Sequence, residues 1–309
     1  MEELDGPDDP GELDEPRELD DLAERFDAQR GTLLSVAYRL LGSVGEAEDA
    51  VQETWLRLSR SDAGAVENLP GWLRTVITRI CLDVLRARRS RREDLTGQEV
   101  LDQVAEPAAG GRPEDEALLA DSVSRALLVV LDRLAPAERV AFVLHDMFAV
   151  PFDQIAPLVG RTPVTTKKLA SRARGKVRGA PVVSADELAR RHTAVSAFLA
   201  AARAGDLDAV LAVLAPDVVR RSDPLLLPPG AAAEVRGARA VAEGTVFLAY
   251  RSRIAEPALI DGSVGAVVAP GGRLLIALTF AVEDGRVAAY EVIADPARLR
   301  RLDIAVLDG

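Results

Sequence analysis

Residues 152–178 leave this chain few alternatives. Phe152-Asp153-Gln154-Ile155-Ala156-Pro157-Leu158-Val159 has the apolar spacing of a short amphipathic helix, and it stops at Gly160. Glycine takes the left-handed conformation that a tight helix end needs. Thr162 then suits the cap of a new helix. Pro163 suits its first position, where a missing N–H has no partner to lose. The second helix carries Lys167, Lys168, Arg172, Arg174, Lys176 and Arg178 around a thin apolar side of Leu169, Ala170, Ala173 and Val177. Two helices joined this tightly form a helix-turn-helix, whose second helix turns its first residues toward base edges in a major groove. Val164, Thr165, Thr166 and Lys168 are the candidates for base contact, since a Val or Thr methyl can touch thymine and Lys can donate to guanine. Arg172, Arg174 and Lys176 fit phosphates, which position without specifying. A basic helical hairpin that enters no groove is the plainer alternative.

Charge supports the first reading. The net charge of -11 resides in residues 1–24, which hold twelve Asp or Glu and one Arg; the rest of the chain balances, 37 acids against 37 bases. Within that balanced part, residues 72–92 carry seven Arg and one Asp, and residues 161–178 carry seven Lys or Arg and no acid. Two basic stretches in a neutral chain point toward nucleic acid. The acidic start, with Pro7, Pro10 and Pro16, buries too little to offset its ordering entropy, so residues 1–21 are expected to be a disordered tail. It either solubilises the protein or screens its basic faces.

Periodicity divides the remainder. Residues 22–93 read as three helices: Leu33, Ala37 and Leu40 fall at helix spacing, as do Ala47, Val51, Trp55 and Leu58. Gly42-Ser43 separates the first two, and the loop Ser59–Pro70 precedes the third, about Gly71 to Arg89. Its expected apolar stripe is Leu73, Val76, Ile77, Ile80 and Val84. Its other face carries Arg74, Thr75, Thr78, Arg79 and Arg86, with Trp72 at the start. Such a basic face with an aromatic suits a melted strand, although the terminal arginines also complement the helix dipole and a lone Trp is more often core. Residues 94–120 are a linker rich in acids, Gly and Pro. Residues 121–180 hold helices at 121–134 and 137–147 and the helix-turn-helix. From 185 to 309 the pattern changes. Helices at 186–203, 206–214 and 238–253 precede strands at 258–260, 264–269, 273–282 and 286–293, joined by Asp261-Gly262, Pro270-Gly271-Gly272 and Asp284-Gly285 turns. Helices followed by an antiparallel meander make an α+β domain.

The segments AYRLLGS (37–43), AEDAVQETWLRL (47–58) and WLRTVITRICLDVLRARRSRR (72–92) resemble region 2 of extracytoplasmic function (ECF) sigma factors. LAPAERVAFVLHDMFAVPFDQIAPLVGRTPVTTKKLASRAR (134–174) resembles region 4. HTAVSAFLAAARAGDLDAVLAVLAPDV (192–218), RGARAVAEG (236–244) and ADPARLRRL (294–302) resemble the SnoaL-like cone domain fused to one subgroup of the family. The resemblance implies a multidomain protein of two all-α sigma domains and an α+β cone, with core RNA polymerase and promoter DNA as partners. It implies polymerase contact by Glu48, Asp49, Gln52 and Glu53. Trp72, Arg74, Thr75, Thr78, Arg79 and Arg86 would engage the −10 element. Val164, Thr165, Thr166, Lys167, Lys168, Ser171, Arg172 and Arg174 would engage the −35 element. At Val164–Lys168 the chain departs from the small residues and Arg usual in the family.

The rest is expected to be inert chemically. One Cys and two His provide no metal spacing, and no cofactor is expected. Related cones use an Asp or His for proton transfer. Here only Asp223, placed before a Leu-rich segment, and His192 qualify, and they do not form an acid–base pair in the sequence. His145 and Cys81 read as packing residues. A non-enzymatic, soluble, cytoplasmic protein without a membrane span is expected, with a small-molecule ligand of the cone left open. The competing reading is a ligand-responsive helix-turn-helix regulator that works without polymerase.

Overall fold

A computed structural model describes residues 15–61, 66–94, 124–227, 230–247 and 255–307. The linker expected at 94–120 and residues 1–14 of the expected tail therefore fall outside the described residues, apart from Asp94. The rest of that tail is helical. Helix α1 spans Glu15–Leu41, and Leu22 and Phe26 already lie in the core.

Helix α2 (Val44–Ser59) starts at Ser43, whose hydroxyl accepts from the Glu46 N–H. Gly42, at φ 77°, makes the turn between α1 and α2. Helix α3 spans Leu69–Asp94. Its buried residues are Leu69, Leu73, Ile77, Thr78, Cys81, Leu82 and Leu85, while Val76, Ile80 and Val84 are half-buried. The helix is thus rotated from the stripe expected of it. Burial pushes the Cys81 thiol up to about 12, so it stays protonated and unreactive.

Helix α4 (Arg125–Arg133) is capped by Ser124. Helix α5 (Pro136–Phe142) runs on as a π-helical turn, Val143–Met147. Helices α6 (Phe152–Val159) and α7 (Pro163–Arg178) follow. His145 is a packing residue: its Nδ1 lies 3.0 Å from the Val150 carbonyl and its ring stacks on Phe152 at 3.8 Å. One apolar core runs through all of this, from Leu33, Ala47 and Ile77 to Leu131, Leu144, Ile155 and Ala173. Arg139, 2% exposed, crosses the junction. Its Nε donates to the Arg39 carbonyl at 3.3 Å, and Asp132 lies 3.8 Å from its guanidinium.

The C-terminal part is the expected α+β layer, with a richer sheet. Helices α8 (Ala185–Ala204) and α9 (Leu207–Val213) precede strand β1 (Leu214–Ser222), β2 (Glu234–Arg236) and helix α10 (Ala238–Phe247). Strands β3 (Ala255–Ile260), β4 (Ser263–Val268), β5 (Ile276–Glu283) and β6 (Arg286–Ile293) form the meander, followed by helix α11 (Pro296–Leu299) and β7 (Ile304–Ala305). The order is β2-β1-β6-β5-β4-β3-β7, and β1 pairs with β6 in parallel. The expected antiparallel meander is β3 to β6, and the parallel strand β1 extends it beyond what the sequence pattern showed. One sheet face packs on α8, α9 and α10 through Phe198, Val218, Phe280 and Tyr290. The other meets α4: Ala126, Val129 and Val130 share a cluster with Ala258, Ile260, Val267 and Ile304.

Helix α4 is therefore apolar on two sides, as a helix buried between two layers must be. Its Leu128 and Leu131 belong to the helical core, and its Val129 and Val130 to the sheet. Polar contacts fix it. Glu256 accepts from the Arg125 N–H and from its guanidinium, each at 2.6 Å. Arg133 donates to the Leu299 carbonyl at 2.9 Å and to that of Leu302. The end of α7 is tied to the same sheet, since the Val306 N–H donates to the Val177 carbonyl at 2.8 Å.

Candidate nucleic-acid interface

The turn between α6 and α7 is built as its residues dictate. Gly160 sits at φ 64° and ψ 42°, and its N–H donates to the Ala156 carbonyl. Thr162 Oγ1 accepts from the Thr165 N–H at 3.2 Å, and Pro163 opens α7. On α7, Val164 is 67% exposed, and Lys167, Lys168, Ser171 and Arg172 are exposed. Positions 164, 168, 171 and 172 share one helix face. None of these three cations has an ion-pair partner among the described residues.

Other expected contacts on α7 are not free. Thr166 is fully buried and its hydroxyl donates to the Thr162 carbonyl at 3.0 Å, so it is corrected from base contact to helix start. Thr165 is half-buried against the Thr162 hydroxyl, 2.9 Å away. Arg174 pairs with Asp146 at 2.6 Å, and Lys176 with Glu138 at 2.8 Å. These two cations brace α7 against the preceding helix pair.

On α3, Arg79 and Arg86 are exposed and Arg74 is half-buried. Arg86 has a weak link to Asp83 at 3.4 Å. Thr75 is half-buried and donates to the Gly71 carbonyl at 2.9 Å, while Trp72 packs partly on the core. Thr78 is corrected. It is fully buried, its hydroxyl unpartnered, because the helix turns the 77–78 edge inward. Arg88 also turns inward, donating to the Leu41 carbonyl at 2.8 Å and pairing with Glu46. It fastens the end of α3 to the α1–α2 turn.

The third surface is an open groove of about 700 Å³ between α1 and α2. Glu48, Asp49 and Gln52 line one side. Glu53 is half-buried and paired with Arg57 at 2.9 Å. Sequence reasoning missed the opposite wall: Glu24, Asp27 and Arg30 of α1. Trp55, read as core, is half-buried. It lines this groove beside Phe26, with ring centroids 5.1 Å apart. The signal lay in the charges spaced three apart on α1.

The cone's catalytic candidates are engaged elsewhere. Asp223 is 9% exposed; its carboxylate accepts from the Ala294 and Asp295 N–H groups at 2.8 and 2.9 Å and from Arg298 at 2.9 Å. It joins β1 to the end of β6 through this network. His192 is half-buried on α8. Among the described residues, no cluster of His, Cys, Asp and Glu could hold a metal, and no helix is long and apolar enough to cross a membrane.

Residues 25–91 match Sigma-70 region 2, and residues 124–177 match Sigma-70 region 4. The chain is 39% identical over 286 residues to the ECF RNA polymerase sigma factor SigJ of Mycobacterium tuberculosis, covering 88% of this chain and 91% of that one. It is 34% identical over 283 residues to the probable ECF RNA polymerase sigma factor SigI of the same organism, covering 91% and 95%. A crystal structure of M. tuberculosis SigJ aligns over 90% of this chain and 98% of that one, at 34% identity and a TM-score of 0.44. By length, identity and the order of its two sigma regions, the chain belongs to the ECF RNA polymerase sigma factors.

Proposed function

We propose that this sigma factor binds core RNA polymerase and directs it to promoters through three surfaces. The α1–α2 groove, with Glu48, Asp49, Gln52 and Glu53, meets the polymerase. The face of α3 bearing Trp72, Arg74, Thr75, Arg79 and Arg86 engages the −10 element. The edge of α7 bearing Val164, Thr165, Lys167, Lys168, Ser171 and Arg172 reads the −35 element. The division runs as region 2 over 22–93, a linker over 94–120, region 4 over 121–180 and the cone over 185–309.

The observation that carries this reading is the division of labour on α7. Arg174 and Lys176 are held by internal acids, while Lys167, Lys168 and Arg172 stand exposed, with no carboxylate partner among the described residues, on the edge that would enter a groove. Exposed cations aligned with a helix-turn-helix attract a phosphate backbone and position the helix on it. The cone acts in cis, because it packs on α4 and on the last turn of α7. The reading assigns no catalysis to it, since Asp223 is held as a structural ion pair.

In vitro transcription with core polymerase and a promoter library tests the proposal. Promoter-dependent initiation is the expected result, and Arg172→Ala should weaken all promoters alike, lowering the salt slope by about one unit. Duplex binding that proceeds fully without core enzyme, with no initiation, would replace the proposal with a polymerase-independent regulator.

A further inference from the structure

Residues 1–14 hold seven Asp or Glu and no Lys or Arg. They precede α1, so the position of its start decides what they can touch. Arg88 donates to the Leu41 carbonyl, which sets the end of α3 beside the end of α1. Between them α2 runs back the other way, with Trp55 against Phe26 of α1. Helices α1 and α3 therefore run parallel, and their starts lie at the same end of the bundle. Counted back from that joint at about 1.5 Å per residue, Glu15 lies about 39 Å away and Arg79 about 14 Å. A chain the length of residues 1–14 extends to about 46–50 Å. It spans the difference of about 25 Å with slack.

The matching charge stands on α3. Trp72, Arg79 and Arg86 recur every seven residues and fall close to one line along the helix. Arg79 is exposed, Arg74 is half-buried, and neither has an ion-pair partner among the described residues. Arg86 has its exposed 3.4 Å link to Asp83, a kind of pair that contributes little. The other surfaces suit an acidic segment less. The α1–α2 groove is itself acidic, with Glu24, Asp27, Glu48 and Asp49 against Arg30. Region 4 meets α1 at Arg39, whose carbonyl takes Arg139 and whose guanidinium lies 5.2 Å from the Phe148 ring centre. That contact is at the opposite end of α1 from residues 1–14.

We propose that residues 1–14 dock along the Trp72–Arg79–Arg86 line of α3 in the free chain and leave when a promoter strand takes that face. Their carboxylates stand where the phosphates of a strand would lie. Stray nucleic acid is thereby repelled, and a strand presented by polymerase displaces the segment. The docking rests on charge and topology, and only the displacement rests on the −10 reading given above.

The test uses the free full-length chain without polymerase or DNA, so its outcome is independent of the promoter reading. Cys81, the chain's one cysteine, is buried and its thiol is pushed up to about 12. A maleimide photocross-linker therefore attaches only at Asp8→Cys. Irradiation at low salt should join the label to residues 72–89 of α3. The yield should fall about fivefold at high salt. It should fall as far with Arg79→Gln and Arg86→Gln combined, while the far-ultraviolet circular dichroism is kept. A label joined to α7 would assign the segment to the other basic face, and a label joined to nothing would make it a solubilising tail. Either result overturns the proposal, as does a yield indifferent to salt and to both arginines. Screening is read separately. With Glu→Gln and Asp→Asn at all seven acidic positions, a short oligothymidylate should bind the free chain about tenfold tighter at low salt. No gain in binding would overturn the screening role.

Discussion

Thr166 and Lys168 stand two positions apart on α7 and face opposite ways. Thr166 is enclosed and bonded to Thr162, while Lys168 is exposed. Thr166→Val should therefore cost about 1 kcal/mol of stability and leave promoter preference unchanged. Lys168→Ala should leave stability alone and shift preference by about 1–3 kcal/mol at one base pair. Denaturant melts and competition between single-base promoter variants separate the two. Asp223 makes a second case. Burial alone would raise its carboxyl, but the N–H groups of Asp295 and Ala294 and the Arg298 guanidinium outweigh burial and hold it below the usual range. A depressed carboxyl contributes stability that is fully present above its unfolded value, about pH 4, and lost as pH falls through the folded one. Thermal melts between pH 6 and 3 should show that loss. Asp223→Asn should flatten it and remove about 2–3 kcal/mol at neutral pH. Equal stability of the two proteins at pH 7 would contradict the assignment.

At the scale of elements, the sequence was most legible where local chemistry decides. The Gly160 turn, the Thr162 cap and the Asp261-Gly262 and Asp284-Gly285 turns sit where residue type puts them, with Asp261 and Asp284 at φ 49° and 48°. It was least legible where partners are distant. Strand β1, with Pro216, Asp217, Arg220 and Arg221, has the composition of a loop, and its partners β6 (parallel) and β2 (antiparallel) make it a strand. Strand β7 is two residues long and has no periodicity to detect. The rotation of α3 was hidden because Thr78 counts as polar by type, yet the neighbours it meets belong to other helices. Helix α4 reads as one amphipathic stretch although it serves two cores. Its clamp on the sheet can be measured. Arg125→Met and Glu256→Gln, singly and together, should show a coupling of about 1 kcal/mol in denaturant melts, because the Glu256 carboxylate takes both the N–H and the guanidinium of Arg125.

For the molecule as a whole, the helical half is one packed unit, and the cone leans on it through α4 and the end of α7. Removing residues 185–309 should uncover Ala126, Val129 and Val130, and a hydrophobic dye should bind the truncated protein strongly and the full chain weakly. Replacing Val129 and Val130 by Thr in the truncated form should reverse the dye signal; an unchanged signal would place the exposed surface elsewhere. The candidate sites were legible as segments: α3 and α7 were singled out for charge, and the α2 residues by resemblance. They were not legible as faces. The burial of Thr78 and Thr166 and the pairing of Arg174 with Asp146 and of Lys176 with Glu138 depend on how whole helices pack.

The chain leaves α7 at Gly179, where an added Cβ would come within 2.4 Å of the Ala305 side chain, and it comes back to the same spot when Val306 bonds to Val177. Departure and return thus meet at one end of the helix proposed for the −35 element, while the same sheet also grips α4. Any change of shape in the sheet is therefore felt both at the end of α7 and along α4.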